Sequence, residues 1–154
     1  MDPHGLPAKV VSIEFSTIAH ATEDLAKVEM AMLNVLPQAL RDSASISRQY
    51  LKGHYQNPIV TLAMRIGSEK AARMTLEYLF KMMSQTERGQ LDREFESFID
   101  EEKNFYIRLD KQEAFRGRIR LAQGAPIRAK IKIRTWQRGA QDGRDIFRNL
   151  GMRE

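Results

Sequence analysis

The sequence predicts an α+β fold, a single domain in which helices pack on one face of an antiparallel-rich mixed sheet. Three observations predict this class. Short segments alternate apolar with polar residues, as half-buried strands do, and three longer segments repeat apolar residues at helical spacing. The strands are neighbours along the chain, in the order β-α-β-β-α-α-β-β-β, which favours hairpins. The chain has 154 residues, enough for one domain with a substantial core.

The first half of the chain predicts a strand, a helix and a hairpin. Alternation over residues 9–17 predicts the strand. Helical spacing follows it, with Thr22 as the expected N-cap and Pro37 at the end of the helix. Residues 48–54 and 59–66 alternate again, and we expect them to pair as a hairpin.

The second half predicts two helices followed by three strands. Ser68 is expected to cap the first helix, and Ser84 begins a capping box with Glu87 that starts the second, whose apolar stripe continues to Ile99. The strands are expected at residues 105–109, 116–121 and 127–134. We expect the domain to span residues 8–136, and residues 137–154 to form a tail or a short helix.

Positive charge is concentrated in the last two of these strands. Eight Lys or Arg residues and no Asp or Glu lie between Ala114 and Gln141. Seven of them alternate strictly with other residues, which predicts a hairpin with one cationic face. These seven are Arg116, Arg118, Arg120, Arg128, Lys130, Lys132 and Arg134. Same-face residues on a strand are ~6.6–6.8 Å apart, close to the phosphate spacing of an extended nucleic acid, so we expect this face to bind a polyanion.

Two other interpretations of the cationic face remain open at this point. Exposed sheet faces often carry Lys and Arg simply because they are solvated. The acidic stretch at residues 87–102 could also neutralise the cations within the molecule. If the helices cover the apolar face of the sheet, however, Tyr106 and Arg108 share the open face with the hairpin, and a basic face with an aromatic is typical of a single-stranded RNA platform.

Two connecting segments hold further candidate contacts. Residues 54–57, at the tip of the first hairpin, are His54, Tyr55, Gln56 and Asn57. Their side chains could stack on a base or bond its edges, although turn chemistry alone explains Asn57 before Pro58. Between the later strands, Lys111 could contact phosphate, whereas Asp110 is expected to cap a turn.

The remaining composition argues against several classes of function. The chain has no cysteine, and its three histidines show no metal-ligand spacing. It has no glycine-rich phosphate loop. We therefore expect no catalytic activity, no metal and no cofactor. Because no signal peptide or long apolar run is visible, we expect a cytoplasmic protein without membrane contact.

Three stretches of the chain resemble a known family. They are HATED at 20–24, GHYQNPI at 53–59, and YIRLDKQEAFRGRIRL at 106–121 followed by IRAKIKI. Together they resemble small archaeal RNA-binding proteins described as predicted exosome subunits, a family similar in fold to the large-subunit ribosomal protein that binds 5S ribosomal RNA. The chain departs from the family pattern at Gln56 and Phe115, where the family has Gly and Tyr.

The resemblance implies a non-catalytic RNA-binding protein of ribosomal-protein-like fold. Its role would lie in RNA processing or degradation, in association with the exosome, or in ribosome-related RNA metabolism. The residues leave an alternative of another class, a protein-interaction module that docks on an acidic partner in an RNA-processing complex. RNA is the expected partner under the first hypothesis, and exosome or other RNA-processing proteins under both.

Overall fold

The protein, described by a computed structural model over residues 9–134 and 141–153, is built on a five-stranded sheet. All neighbouring strands are antiparallel, in the order β2-β3-β1-β5-β4. The strands are β1 (Lys9–His20), β2 (Ile46–Lys52), β3 (Pro58–Ile66), β4 (Asn104–Asp110) and β5 (Pro126–Arg134). The predicted α+β class is confirmed, and β1 is the central strand on which β3 and β5 pair.

Within the described residues, six helices connect or follow these strands. They are α1 (Leu25–Asn34), α2 (Gln38–Arg41), α3 (Glu69–Met82), α4 (Gln85–Arg93), α5 (Lys111–Phe115) and α6 (Gln141–Phe147). Short 3-10 turns lie at His54–Gln56 and Phe95–Ser97, and a π-helical turn at Arg148–Met152 follows α6.

The core lies between the helices and one face of the sheet. On β1, Ile13 and Phe15 are fully buried, and on α3 so are Leu76 and Phe80. Along β5 the residues at odd positions are buried and most of those at even positions are exposed. Because side chains alternate across a strand, this pattern leaves the second face of the sheet open to solvent.

The predicted strand at residues 116–121 is wrong, and with it the predicted cationic hairpin. Asp110 accepts a hydrogen bond from the Glu113 amide (2.8 Å) and thereby caps the short helix α5. The chain leaves α5 through Gly117, whose φ of +81° is a left-handed conformation that glycine favours. Strand β5 pairs with β4 and β1 instead of with residues 116–121.

Helix boundaries follow the predicted caps in two cases out of three. Ser68 caps α3, and Ser84 and Glu87 form the predicted capping box of α4. Asp24, rather than Thr22, caps α1 by accepting from the Ala26 amide (3.0 Å). The third predicted helix, α4, stops at Arg93 instead of near residue 99, because the chain tightens into the Phe95–Ser97 turn and buries Phe95.

The last described residues join the core through an aromatic cluster. The Phe147 ring lies 4.8 Å from the Phe105 ring, 5.4 Å from that of Phe95 and 5.9 Å from that of Phe80, measured between centroids. Tilted and edge-on ring pairs at these distances add to the stabilisation from burial. The domain limits predicted at residues 8 and 136 lie outside the described residues.

Candidate nucleic-acid interface

Four cations of β5 lie side by side on the open face of the sheet. They are Arg128, Lys130, Lys132 and Arg134, which alternate with four buried apolar residues of the same strand. The neighbours on that face follow from the register: Lys130 lies between Glu14 of β1 and Tyr106 of β4, and Arg128 lies between Ser16 and Arg108. The alternation along β5 therefore places these charges in one row, as the sequence predicts.

These four cations lack an acidic partner within the described structure. Across residues 9–134 and 141–153, no carboxylate lies within ion-pair distance of any of them. Positive charge on an open face attracts anions more strongly when no carboxylate lies within ion-pair distance to neutralise it.

The other three predicted cations lie in the loop that follows α5, and each of them is paired with a carboxylate. Arg116 and Arg118 lie 3.4 and 2.9 Å from Glu113, and Arg120 lies 3.7 Å from Glu87 of α4. Internal neutralisation by the acidic stretch thus reaches Arg120, but it does not reach β5.

Tyr106 and Arg108 extend the row of charges to the edge strand. The Arg128 guanidinium lies over the Tyr106 ring, 5.4 Å from its centroid, which is a cation–π geometry. The Tyr106 hydroxyl donates to Asp100 Oδ2 (2.9 Å), which fixes the ring. Burial and this bond to a carboxylate both raise the pKa of Tyr106.

Asp100 is held as a carboxylate at the margin of the face. Partial burial alone would raise its pKa, but hydrogen bonds from the Asn104 amide, the Tyr106 hydroxyl, the Asn104 side chain and the Glu102 amide outweigh burial and lower it. The Asp100 carboxylate is therefore hydrogen-bonded to donors of the protein itself, and its bond to the Tyr106 hydroxyl orients that ring.

Two residues of the open face were not selected from the sequence. Arg65 of β3 and Glu14 of β1 are register partners, and Glu14 is also the partner of Lys130 on its other side. Both belong to segments whose alternation was recognised, so the same two-residue period could have placed them on this face. Glu14 is an acid between two basic neighbours and should weaken anion binding there.

Lys111 lies apart from this face, in the interior. Its side chain is only 9% exposed, and its ammonium donates to the Ile18 carbonyl (2.7 Å) and to both oxygens of Glu23 (3.0 and 3.1 Å). Burial would raise the pKa of Glu23, but the His20 amide and the Lys111 ammonium outweigh it and lower the pKa. Lys111 thus holds α5 against β1 and the start of α1.

The loop at residues 54–57 lies at the far side of the sheet from the β5 cations, at the tip of the β2–β3 hairpin. Tyr55 is 87% exposed, and Gln56 and Asn57 are also exposed; the His54 side chain lies outside the described residues. Tyr55 and Gln56 both have positive φ, at 55° and 63°, which costs non-glycine residues energy. The structure does not bring this loop together with β5.

A groove beside the β5 cations extends over β1, β2 and β3. It is a cavity of about 610 Å³ on the open face, lined among others by Ser16, Ala63, Thr61, Ser47 and Arg128. Six of its lining residues are Ser, Thr or Ala, and Arg48 and Arg128 also line it. The open face therefore has a basic half on β4 and β5, and a half on β1, β2 and β3 that is close to neutral because Glu14 and Arg65 offset each other.

A family model described as RNA binding matches residues 12–133, a range that contains the whole sheet except the ends of two strands. The chain belongs to this RNA-binding family. An RNA-binding protein of Pyrococcus abyssi is 31% identical over 127 residues, which cover 81% of this chain and 82% of the relative. The family and the name of this relative support an RNA-binding role.

Solved structures show the same fold for similar proteins. A protein from Archaeoglobus fulgidus, assigned to the family model DUF54, has a TM-score of 0.79 and 26% identity, and covers 92% of this chain and 99% of that one. A DUF54 protein from Methanothermobacter thermautotrophicus has a TM-score of 0.74 and 26% identity, with coverage of 92% and 98%. Every helix described in residues 9–134 and 141–153 is too short or too polar to cross a bilayer.

Proposed function

We propose that this family member is a non-catalytic RNA-binding protein that holds RNA on the open face of its sheet. The observation that carries the proposal is the row of β5 cations without acidic partners in the described structure. The core of the proposed surface, hereafter the β4–β5 surface, consists of Tyr106, Arg108, Arg128, Lys130, Lys132 and Arg134.

The remaining predicted contacts are assigned to two outer zones. Arg116, Arg118 and Arg120 form the first, where pairing with Glu113 and Glu87 weakens the attraction for phosphate. His54, Tyr55, Gln56 and Asn57 form the second, which RNA would reach only by extending from β5 past the groove on β1, β2 and β3. Lys111 is left out, because its ammonium is committed to Glu23 and Ile18.

An extended single strand suits this division of the face. Phosphates would lie along the β4–β5 surface, where Lys and Arg give affinity without reading sequence. Bases would turn toward the neutral half or stack against Tyr106, because unpaired bases bind apolar and aromatic surface. A duplex presents its phosphates in two rows and keeps its bases stacked inside, so it would use less of the face.

We further propose that the protein acts in RNA processing or degradation in association with the exosome, or in ribosome-related RNA metabolism, with a fold related to the ribosomal protein that binds 5S ribosomal RNA. The resemblance of three sequence stretches supports this finer assignment. The same unpaired cations would also suit an acidic protein, which keeps a protein-interaction module as the second candidate.

One experiment separates the two candidates. The double variant K130E/K132E reverses two charges of the β4–β5 surface while leaving the apolar positions of β5 intact. We expect fluorescence anisotropy to show that it no longer binds a labelled single-stranded RNA, while its thermal unfolding is unchanged. If the variant binds RNA as the parent does, the proposed surface is wrong. If the parent binds no RNA and retains its protein partners after nuclease treatment, the interaction module replaces RNA binding.

A further inference from the structure

The outer edge of β4 is paired by two separate pieces of chain instead of one strand. Residues 98–100 cover its first half: the Tyr106 amide donates to the Phe98 carbonyl and the Asp100 amide to the Asn104 carbonyl, both at 2.9 Å. Residues 120–122 cover its second half: the Ala122 amide donates to the Arg108 carbonyl (2.9 Å) and the Asp110 amide to the Arg120 carbonyl (2.8 Å). The two pieces therefore leave a break opposite residues 106–108.

Two backbone groups of β4 face this break without a partner. In a regular antiparallel ladder, the Tyr106 carbonyl would accept from the Phe98 amide and the Arg108 amide would donate to the Ala122 carbonyl, and these two bonds would form a widely spaced pair. Neither group has a hydrogen-bond partner within the described residues. Phe98 cannot complete the ladder, because its amide donates to the Phe95 carbonyl (3.1 Å) as the chain turns away.

A cavity of about 570 Å³ opens at the break, and its size is in the range of small-molecule sites. Apolar side chains, among them Leu91, Phe98 and Leu121, line one part of it. Tyr106, Arg108 and Arg128, all members of the β4–β5 surface, line another part. The cavity, hereafter the edge notch, is thus continuous with the proposed path of the RNA.

The unpaired groups specify what the edge notch can recognise. A ligand must present a hydrogen-bond donor to the Tyr106 carbonyl and, beside it, an acceptor to the Arg108 amide. The Watson–Crick edge of every nucleobase carries such a donor next to an acceptor, for example the amino group and ring nitrogen of adenine or cytosine. A peptide strand would fit poorly, because residues 98–100 and 120–122 already occupy the positions on either side.

We propose that the edge notch binds one unpaired nucleobase of the RNA that lies on the β4–β5 surface. This inference rests on the proposed RNA-binding function and adds a base-recognition site to it. The base is held in the plane of the sheet by the two backbone groups of β4, between apolar walls, while its phosphates remain near Arg108 and Arg128. Because the Watson–Crick edge must be free, a base inside a duplex cannot enter.

Backbone NMR tests the site directly, since the key donor is a single amide. The amides of Tyr106 and Asp110 already donate within the protein and serve as internal references. In the free protein, we expect the Arg108 amide to exchange with solvent faster than these two. A single-stranded RNA should shift its resonance downfield and slow its exchange. An abasic oligomer of the same length keeps the phosphates, so it should bind with the same salt dependence yet leave the Arg108 amide unchanged.

A matched pair of variants provides a second readout. Ala122 lines the notch, and A122L adds bulk to its wall, whereas Gln123 is exposed and does not line it. We expect A122L to bind RNA on the order of tenfold more weakly with an unchanged salt slope, as the loss of two hydrogen bonds predicts, and Q123L to bind as the parent does.

The outcomes separate a failure of the base site from a failure of the proposed RNA-binding function. If RNA binds but the Arg108 amide keeps its shift and exchange rate, the edge notch is not a base site and the RNA-binding surface stands. If A122L binds as tightly as Q123L, the same conclusion follows. If no RNA binds at any salt concentration, the proposed function fails and the inference fails with it.

Discussion

The sharpest test of the β4–β5 surface compares two pairs of cations that differ in their surroundings. The variant K130Q/K132Q removes two charges without acidic partners in the described structure. The variant R116Q/R118Q removes two charges that both pair with Glu113. Both variants lower the net charge by the same amount, so non-specific attraction over a distance changes equally in the two.

The expected difference follows from counterion release. Each phosphate contact to a single strand contributes about 0.7 to the slope of log affinity against log salt. Loss of two contacts should therefore reduce the slope by about 1.4. At about 0.1 M salt, tenfold below a 1 M reference, this corresponds to about 25-fold weaker binding, or about 2 kcal/mol. R116Q/R118Q should change affinity by less than about fivefold, because charge interactions of exposed cations that already pair with a carboxylate contribute about 0–1 kcal/mol.

Fluorescence anisotropy over a range of salt concentrations measures both quantities at once. Thermal unfolding of each variant shows whether the domain remains folded. Equal losses of affinity in both variants would show that net charge alone decides binding. An unaltered salt slope in K130Q/K132Q would show that these lysines make no phosphate contacts. Either result contradicts the prediction.

Three further predictions concern single positions. E14Q removes the acid between Arg65 and Lys130 and should tighten RNA binding about twofold to threefold at low salt. The reason is that a screened negative charge beside Lys130 no longer repels the RNA phosphates. An unchanged affinity by anisotropy would contradict this prediction. K111M should lower the free energy of unfolding by about 1–3 kcal/mol, because Glu23 loses its buried partner, while RNA affinity stays within twofold; a large loss of affinity would return Lys111 to the interface. Urea unfolding should show that stability falls below about pH 4. Glu23, Asp92 and Asp100 have lowered pKa values in the folded protein, so the folded state binds fewer protons than the unfolded state in this range. The loss of stability should be smaller in D100N.

Much of the sheet could be predicted because its signals are local. An unbroken alternation of isoleucine or alanine with a cation sets both the existence of β5 and the face of its charges. The capping box at Ser84 likewise needs only four consecutive residues. The Ser68 cap and the Ser84 capping box agree with the structure, whereas the alternation at residues 116–121 and the Thr22 cap do not.

The predictions that failed depend on partners that a local pattern does not reveal. Residues 116–121 alternate as a strand does, but the partner edge of β5 is taken by β4, and Gly117 turns the chain away. The five residues of α5 are too few to show helical periodicity. Lys111 is buried because Glu23, 88 residues earlier, neutralises it.

The edge notch could not be predicted for a related reason. It exists because the hydrogen-bond ladder on the outer edge of β4 is interrupted. The residue types of a sequence do not reveal which backbone groups lack a hydrogen-bond partner. Residues 98–100 and 120–122 come from opposite sides of β4 in the chain and meet only in the folded domain. The aromatic cluster at Phe147 is similar, since α6 has only seven residues and its partners lie far away in the chain.

The most direct test of the central claim is a map of RNA-induced NMR shifts across the sheet. The account predicts that a single-stranded RNA perturbs the side chains and amides of the β4–β5 surface, with Lys130 and Lys132 at the centre. It also predicts that the helix face at α1 and α3 remains unchanged. Shifts concentrated on the helices, or on Arg116 and Arg118 with β5 unaffected, would contradict it.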